Sequence, residues 1–145
     1  MNAQFEPRDP DYQARVTRSF GEQTIMRTIG AELVEVAPGK VTIELPYDAS
    51  LTQQDGFIHA GVSSIIMDSA CGYAAFSLMA ADARVLTIEF KINLLAPAAG
   101  ERFRATGRVR KSGRSVFVAE GELHADDGKL VASMTGTLMA VYPRD

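Results

Sequence analysis

Residues 56–81 read GFIHAGVSSIIMDSACGYAAFSLMAA, and the way this stretch is housed decides the fold. Its one carboxylate is Asp68 and its one histidine is His59; Cys71 and Tyr73 are the only other ionisable side chains in it. Val62, Ile65, Ile66, Ser69 and Tyr73 recur at helical spacing, yet the opposite side (Met67, Ala70, Ala74, Leu78) is also apolar or small. A helix that is hydrophobic all round is either deeply enclosed or in a membrane. The length would nearly span a bilayer. Against that, Asp68 sits mid-segment, four serines dilute the stretch, and alternating strands with charged faces surround it. The expected solution is a long central helix wrapped by a curved antiparallel sheet, an α+β architecture.

Working outward, Asp9-Pro10 reads as an N-cap with proline at the first helical position, followed by Tyr12, Val16 and Phe20 at a spacing of four. A short N-terminal amphipathic helix over about residues 10–21 is expected. A strand near residues 31–36 and a Pro38-Gly39 turn lead to Val41, Ile43 and Leu45, which point one way, with Thr42 and Glu44 pointing the other. Residues 46–57 read as loop. Beyond residue 82 the period is two: Leu86, Ile88, Phe90, Ile92 and Leu94 interleave with Thr87, Glu89, Lys91 and Asn93. Phe103, Ala105, Gly107 and Val109 alternate with arginines and Thr106, and Ser112-Gly113 and Asp127-Gly128 signal hairpins into 115–123 and 130–142. Short loops between these runs make the sheet antiparallel, with the strand aromatics alternating inward.

With 145 residues, 46% hydrophobic and 23% charged, the chain has the composition of one ordinary globular domain spanning residues 1–145. A net charge of −3 recommends neither nucleic acid nor an anionic membrane as partner. One cysteine, Cys71, excludes an internal disulfide and a cysteine-based zinc cluster, and nothing basic near it in sequence would create a thiolate. The opening MNAQFEPRDPDY lacks a basic region followed by an apolar one, so a secretory leader is not expected and the cytoplasm is the expected location.

Asp68 carries the chemical argument. An ionised carboxylate on a buried apolar helix costs several kcal/mol unless something compensates. It is either a satisfied core aspartate or a functional one, and the flanking residues favour function. His59-Ala60-Gly61 lies where the chain enters the helix, and small residues there let a ligand approach free backbone N–H groups suited to a developing oxyanion. A carboxylate for attack or base work, with an oxyanion hole, suffices to hydrolyse an activated acyl group such as a thioester. Asp68 lies eight residues beyond Ala60, about 12 Å along a helix axis. One subunit cannot readily bring both to a single carbonyl. Two facing helices in a two-fold dimer could, which predicts a homo-oligomer, dimer or tetramer, with sites between subunits.

The run GFIHAGVSSIIMDSACGYAA, with nine residues from His59 to Asp68, resembles the HGG-x(6)-D signature of hotdog-fold acyl-CoA thioesterases of the phenylacetate-degradation (PaaI-like) type. The segment VLTIEFKINLLAPAAGE is similar to that family's strand ending in a proline-containing turn. The resemblance covers a core of about residues 24–142. It implies a hotdog fold, an acyl-CoA substrate, Asp68 as nucleophile or general base, and the Ala60 N–H as oxyanion donor. It places Gln53 where these enzymes often carry an asparagine that orients the water or the carbonyl, and Thr87 where some members carry a hydroxyl that assists the water. Alanine replaces the first glycine of HGG, and Gln53 is one methylene longer than asparagine. No metal and no cofactor beyond the substrate's own coenzyme A are implied.

The remaining candidates each have a plainer reading. His59 is a base or a ring that braces the loop entering the helix. Thr87 shares a period-two face with Glu89, Lys91 and Asn93 and is otherwise part of a solvated surface. Arg102, Arg104, Arg108 and Arg110 form a polar sheet face. Arg110, Lys111 and Arg114, near the hairpin where the family tends to bind its nucleotide, and Gly61 at the helix start are the candidates for holding coenzyme A. Two other functions fit the same residues: a hotdog hydratase or dehydratase, which needs His59 close to a carboxylate, and a non-catalytic acyl-CoA-binding module.

Overall fold

The computed structural model describes residues 5–144, so the first four residues, part of the leader reading, lie outside the described residues. His59 starts the central helix. Its backbone is extended (φ −61°, ψ 139°) and its Nδ1 accepts the Gly61 N–H at 2.8 Å, a side-chain N-cap that frees the chain to wind on as α3, Ala60–Phe76. Gly61 leaves that cap unstrained, because a Cβ there would stand 3.1 Å from the His59 ring nitrogen, closer than ordinary contact. From Ile66 to Phe76 every residue of α3 except Asp68 is buried.

Around α3 runs one six-stranded antiparallel sheet in the order β1-β2-β4-β5-β6-β3. Its strands are β1 (Glu32–Ala37), β2 (Lys40–Pro46), β3 (Arg84–Leu94), β4 (Arg102–Ser112), β5 (Val116–Ala125) and β6 (Leu130–Val141). Consecutive strands β3 and β4 do not pair: β3 closes one edge against β6, and β4 joins β2. The sheet is therefore antiparallel as expected, but it is not a simple meander. Two short helices precede it, α1 (Tyr12–Glu22) and α2 (Thr24–Ile29), the second ending on Gly30 at φ 77°. This α+β arrangement of a curved sheet around a long helix is the hotdog fold.

The helix can sit close to the sheet because the strands beneath it carry glycine. A Cβ on Gly107 would come within 2.4 Å of the Ala70 backbone, and one on Gly121 within 3.0 Å of Cys71 Sγ. Gly107 and Gly121 are direct cross-strand partners, so together they form a shallow floor under Ala70 and Cys71. Gly107→Ala drives a side chain into helix backbone that cannot rotate away, and is expected to cost about 3 kcal/mol, the upper end of overpacking effects. Gly21→Ala, in open space on α1, is expected to stabilise by about 0.5–1 kcal/mol instead. Urea unfolding of the two variants checks the contrast.

Several local expectations need correction. The N-terminal helix opens at Tyr12, not at Pro10, and Asp9 is not its N-cap. One Asp9 oxygen accepts the Asp11 N–H at 2.9 Å, while the other is drawn 3.0 Å from Arg15 in a buried ion pair. Thr42 points away from Val41, Ile43 and Leu45 as its alternation required, yet it is buried there between the Glu35 and Thr106 side chains. The β4–β5 connection is three residues, Gly113 to Ser115, closed by Gly113 N–H to Val116 O. No helix of the described residues is long and apolar enough to cross a membrane.

Candidate active site

Two separate places along α3 bring the expected residues together. The first is its N-terminus. The loop before it is tied down by Ile58 N–H to Ala98 O (3.1 Å) and His59 N–H to Leu51 O (2.9 Å). Of the first helical N–H groups, Gly61's is taken by His59, and Val62 and Ser63 both donate to His59 O. That leaves the Ala60 N–H uncommitted among the described residues, at the positive end of the helix dipole. Gly61, a candidate for holding coenzyme A, gives its N–H to the His59 cap.

Ala60 borders a cavity of about 500 Å³. Gln53, Phe57, Ile58, Ala60 and Ser63 line it from the loop and helix start; residues 94–98 and Val131 line it from the end of β3, the following loop and β6. Most of this wall is hydrocarbon. Gln53 turns its side-chain carbonyl back onto its own loop, accepting the Asp55 and Phe57 N–H groups, the latter at 3.2 Å. Its position beside Ala60 is held by those bonds. Accepting at Nδ1 places the His59 proton on Nε2, and the ring contacts the helix start rather than a carboxylate.

The second place is mid-helix. Asp68 Oδ1 accepts the Thr87 hydroxyl at 2.8 Å. Burial pushes the Asp68 carboxyl above its ordinary range, and the Thr87 hydrogen bond pulls it partly back. The Thr87 contact contradicts the simple period-two reading of β3. Thr87 pairs with Leu138 and Glu89 with Thr137, so Ile88 is an extra residue, a β-bulge. Cross-strand partners share a face. Leu138 is buried, so Thr87 points toward α3, whereas Glu89 points outward, where Thr137 Oγ1 bonds its carboxylate at 2.5 Å. The bulge also sends Leu86 outward, while Phe90, Ile92 and Leu94 stay on the helix side. Leu86 is 60% exposed, and even Phe90 is 42% exposed, because β3 is the sheet edge and nothing among the described residues covers it. The aromatic side chain of β3 is thus not enclosed as its alternation implied.

The geometry thus groups Gln53 with Ala60, and Thr87 with Asp68, about 12 Å apart along one continuous helix. The sequence reading missed Ser63 and the 94–98 loop as cavity walls. Ser63 was accessible to it, since residues three apart share a helix face. Arg110, Lys111 and Arg114 sit at the β4–β5 hairpin and do not line the cavity. The register slips at Arg110, which lies 3.5 Å from Glu120, so Lys111 takes up the next paired position. Arg102 and Arg104 both bond Glu44, at 2.8 and 2.7 Å, as a polar sheet face would. Cys71 is buried, with its thiol pushed up to about 12 by burial and by the charge of Asp68, so no thiolate forms there.

Comparison with known proteins agrees with this architecture. The thioesterase superfamily profile matches residues 55–132, which take in the helix start, Asp68 and Thr87. A solved thioesterase family protein from Silicibacter pomeroyi is 50% identical and superposes with a TM-score of 0.89 over 91% of this chain and 99% of its own. The Escherichia coli PaaI protein, at 20% identity, shares the fold with a TM-score of 0.82 over 90% of this chain and 94% of its own. Among curated proteins, a 1,4-dihydroxy-2-naphthoyl-CoA hydrolase of Listeria monocytogenes is 29% identical over 107 residues, 74% of this chain and 87% of that protein. Sequence match, fold and helix geometry agree: the chain belongs to the thioesterase superfamily.

Proposed function

We propose that this protein hydrolyses acyl-CoA thioesters to the free acid and coenzyme A, in sites assembled from two copies of the chain. The carrying observation is the division of α3 into an uncommitted N–H at a cavity and a half-buried carboxylate about 12 Å away beside an open sheet edge. The acyl carbonyl oxygen rests on the Ala60 N–H of one copy, where the helix dipole stabilises the oxyanion as it develops. Asp68 of the facing copy either takes a proton from the attacking water or attacks directly, forming a mixed anhydride that water opens. Coenzyme A leaves as thiolate. Thr87 holds the carboxylate, and Gln53 orients the carbonyl or the water.

The assembly has a surface to form on. Leu86, Ile88, Phe90, Leu94 and Leu95 are exposed along and just beyond β3, an uncapped edge strand of the kind that invites pairing. Edge-to-edge association of two β3 strands brings two copies of α3 side by side. The named activity of the Listeria relative supports a coenzyme A thioester as the substrate class. Arg110, Lys111 and Arg114 are assigned to the phosphates of coenzyme A, no further cofactor or metal is required, and the cytoplasm is the proposed site of action.

A thiol-release assay across short, long and aromatic acyl-CoAs tests the activity; no release from any of them contradicts it. The pH profile tests the carboxylate. Asp68 works ionised and burial raises its pKa, so the acid limb of kcat/KM lies above that of a solvent-exposed aspartate. Thr87→Val removes the hydrogen bond that favours the charged form. Its acid limb is expected to move to still higher pH, with kcat/KM lowered about tenfold at neutral pH. An unmoved limb would remove Thr87 from the site.

A further inference from the structure

Ser63 is the wall residue that the reaction above leaves without a task. It lies three positions beyond Ala60, one helical step of about 4.5 Å further along the same face. It is 1% exposed and lines the same cavity as Ala60. Its neighbour Ser64 bonds the Ala60 carbonyl at 2.9 Å, whereas the Ser63 hydroxyl makes no such hydrogen bond among the described residues and is left to the cavity. A buried hydroxyl left unpaired against hydrocarbon is costly. Its cavity neighbours Ile58, Leu94, Pro97 and Val131 offer no side-chain acceptor, and the Gln53 carbonyl is committed to its own loop.

From this placement, and resting on the thioesterase reading, we infer that Ser63 is a specificity-determining residue for acyl groups that carry an oxygen on the β-carbon. With the thioester carbonyl on the Ala60 N–H and the chain running into the cavity, that carbon passes the Ser63 hydroxyl. A hydroxyl both donates and accepts, so it pairs with a β-hydroxyl or a β-keto oxygen alike. A plain alkyl chain leaves it unpaired. A site built to hydrogen-bond a substrate oxygen discriminates against the analogue that lacks it.

The test compares a β-hydroxyacyl-CoA with the saturated acyl-CoA of equal chain length, on wild type and Ser63→Ala. Wild type is expected to prefer the β-hydroxy substrate by about tenfold in kcat/KM. Ser63→Ala is expected to lose most of that preference, chiefly through the oxygenated substrate, with an unchanged melting temperature showing the fold intact. Equal rates on the two substrates in wild type, or a preference that survives Ser63→Ala, overturns the inference and leaves the thioesterase reading standing. If wild type turns over neither these two compounds nor any of the short, long and aromatic acyl-CoAs above, the thioesterase reading fails instead. Calorimetric binding of the same two compounds to wild type then decides Ser63: tighter binding of the β-hydroxy compound upholds its role, and equal binding ends it.

Discussion

Asp68→Asn is expected to lower kcat/KM for acyl-CoA hydrolysis by about 10²–10⁴-fold, the range lost with a positioned base. Asparagine keeps the size and can still accept from Thr87 Oγ1, but it neither takes a proton from water nor attacks a carbonyl. The fold is not expected to suffer. Burial raises the Asp68 pKa in the folded chain above its unfolded value, so the ionised carboxylate opposes folding. At pH below the unfolded value both states are protonated and the penalty is absent. It grows as pH rises through the folded value, and at neutral pH it is fully present. Asn removes it, so the melting temperature at neutral pH should stay level or rise. Loss of activity with a lowered melting temperature would make Asp68 a structural residue, and the proposed chemistry would fall. Activity retained at the wild-type level would have the same consequence.

Arg15→Ala should show the reverse pattern, a large loss of stability at a residue remote from the proposed chemistry. The Arg15 guanidinium donates to Ala80 O at 2.6 Å, Met79 O at 2.7 Å and Phe76 O at 3.0 Å, and lies 4.3 Å from the Phe76 ring centroid. It thereby caps carbonyls at the C-terminal end of α3, where a cation suits the dipole, and it pairs with Asp9. Truncation orphans those carbonyls and leaves Asp9 buried and unpaired. The expected cost is about 3–5 kcal/mol, or ~10–20 °C in melting temperature. Arg15→Lys keeps the charge without the planar fork and should fall between. Thermal unfolding within 2–3 °C of wild type for Arg15→Ala would show that the N-terminal helices contribute little to holding α3.

The helix and strands were legible in the sequence because their hydrophobic periods are strong. Val41, Ile43 and Leu45 are all fully buried, as their alternation required. Thr87 shows where periodicity stops being informative. A single bulge at Ile88 changes the facing of the residues before it relative to those after it, and no residue in VLTIEFKINLL advertises that extra position. The role of Arg15 was invisible for another reason: the carbonyls it meets are 61 to 65 residues away in the chain. Strand order was similarly out of reach, since the loop between β3 and β4 is short enough for a hairpin yet connects strands at different places in the sheet. By contrast, the spacing of Ala60 and Asp68 on one helix was legible in the sequence alone, and the proposed mechanism built on it requires two copies for one site.

That requirement is tested most directly by mixing two inactive variants. Asp68→Asn loses the carboxylate. Ala60→Pro loses only the N–H, since proline suits the first helical position and His59 already has the extended backbone that precedes proline. Unfolded together and refolded as a mixture, the two chains form mixed dimers in which one site pairs an intact Ala60 N–H with an intact Asp68 from the other copy. Random pairing predicts recovery of about a quarter of wild-type activity from two preparations that are each inactive alone. Mixed dimers verified by mass that remain as inactive as either parent would place both groups of each site in a single chain, contradicting the account.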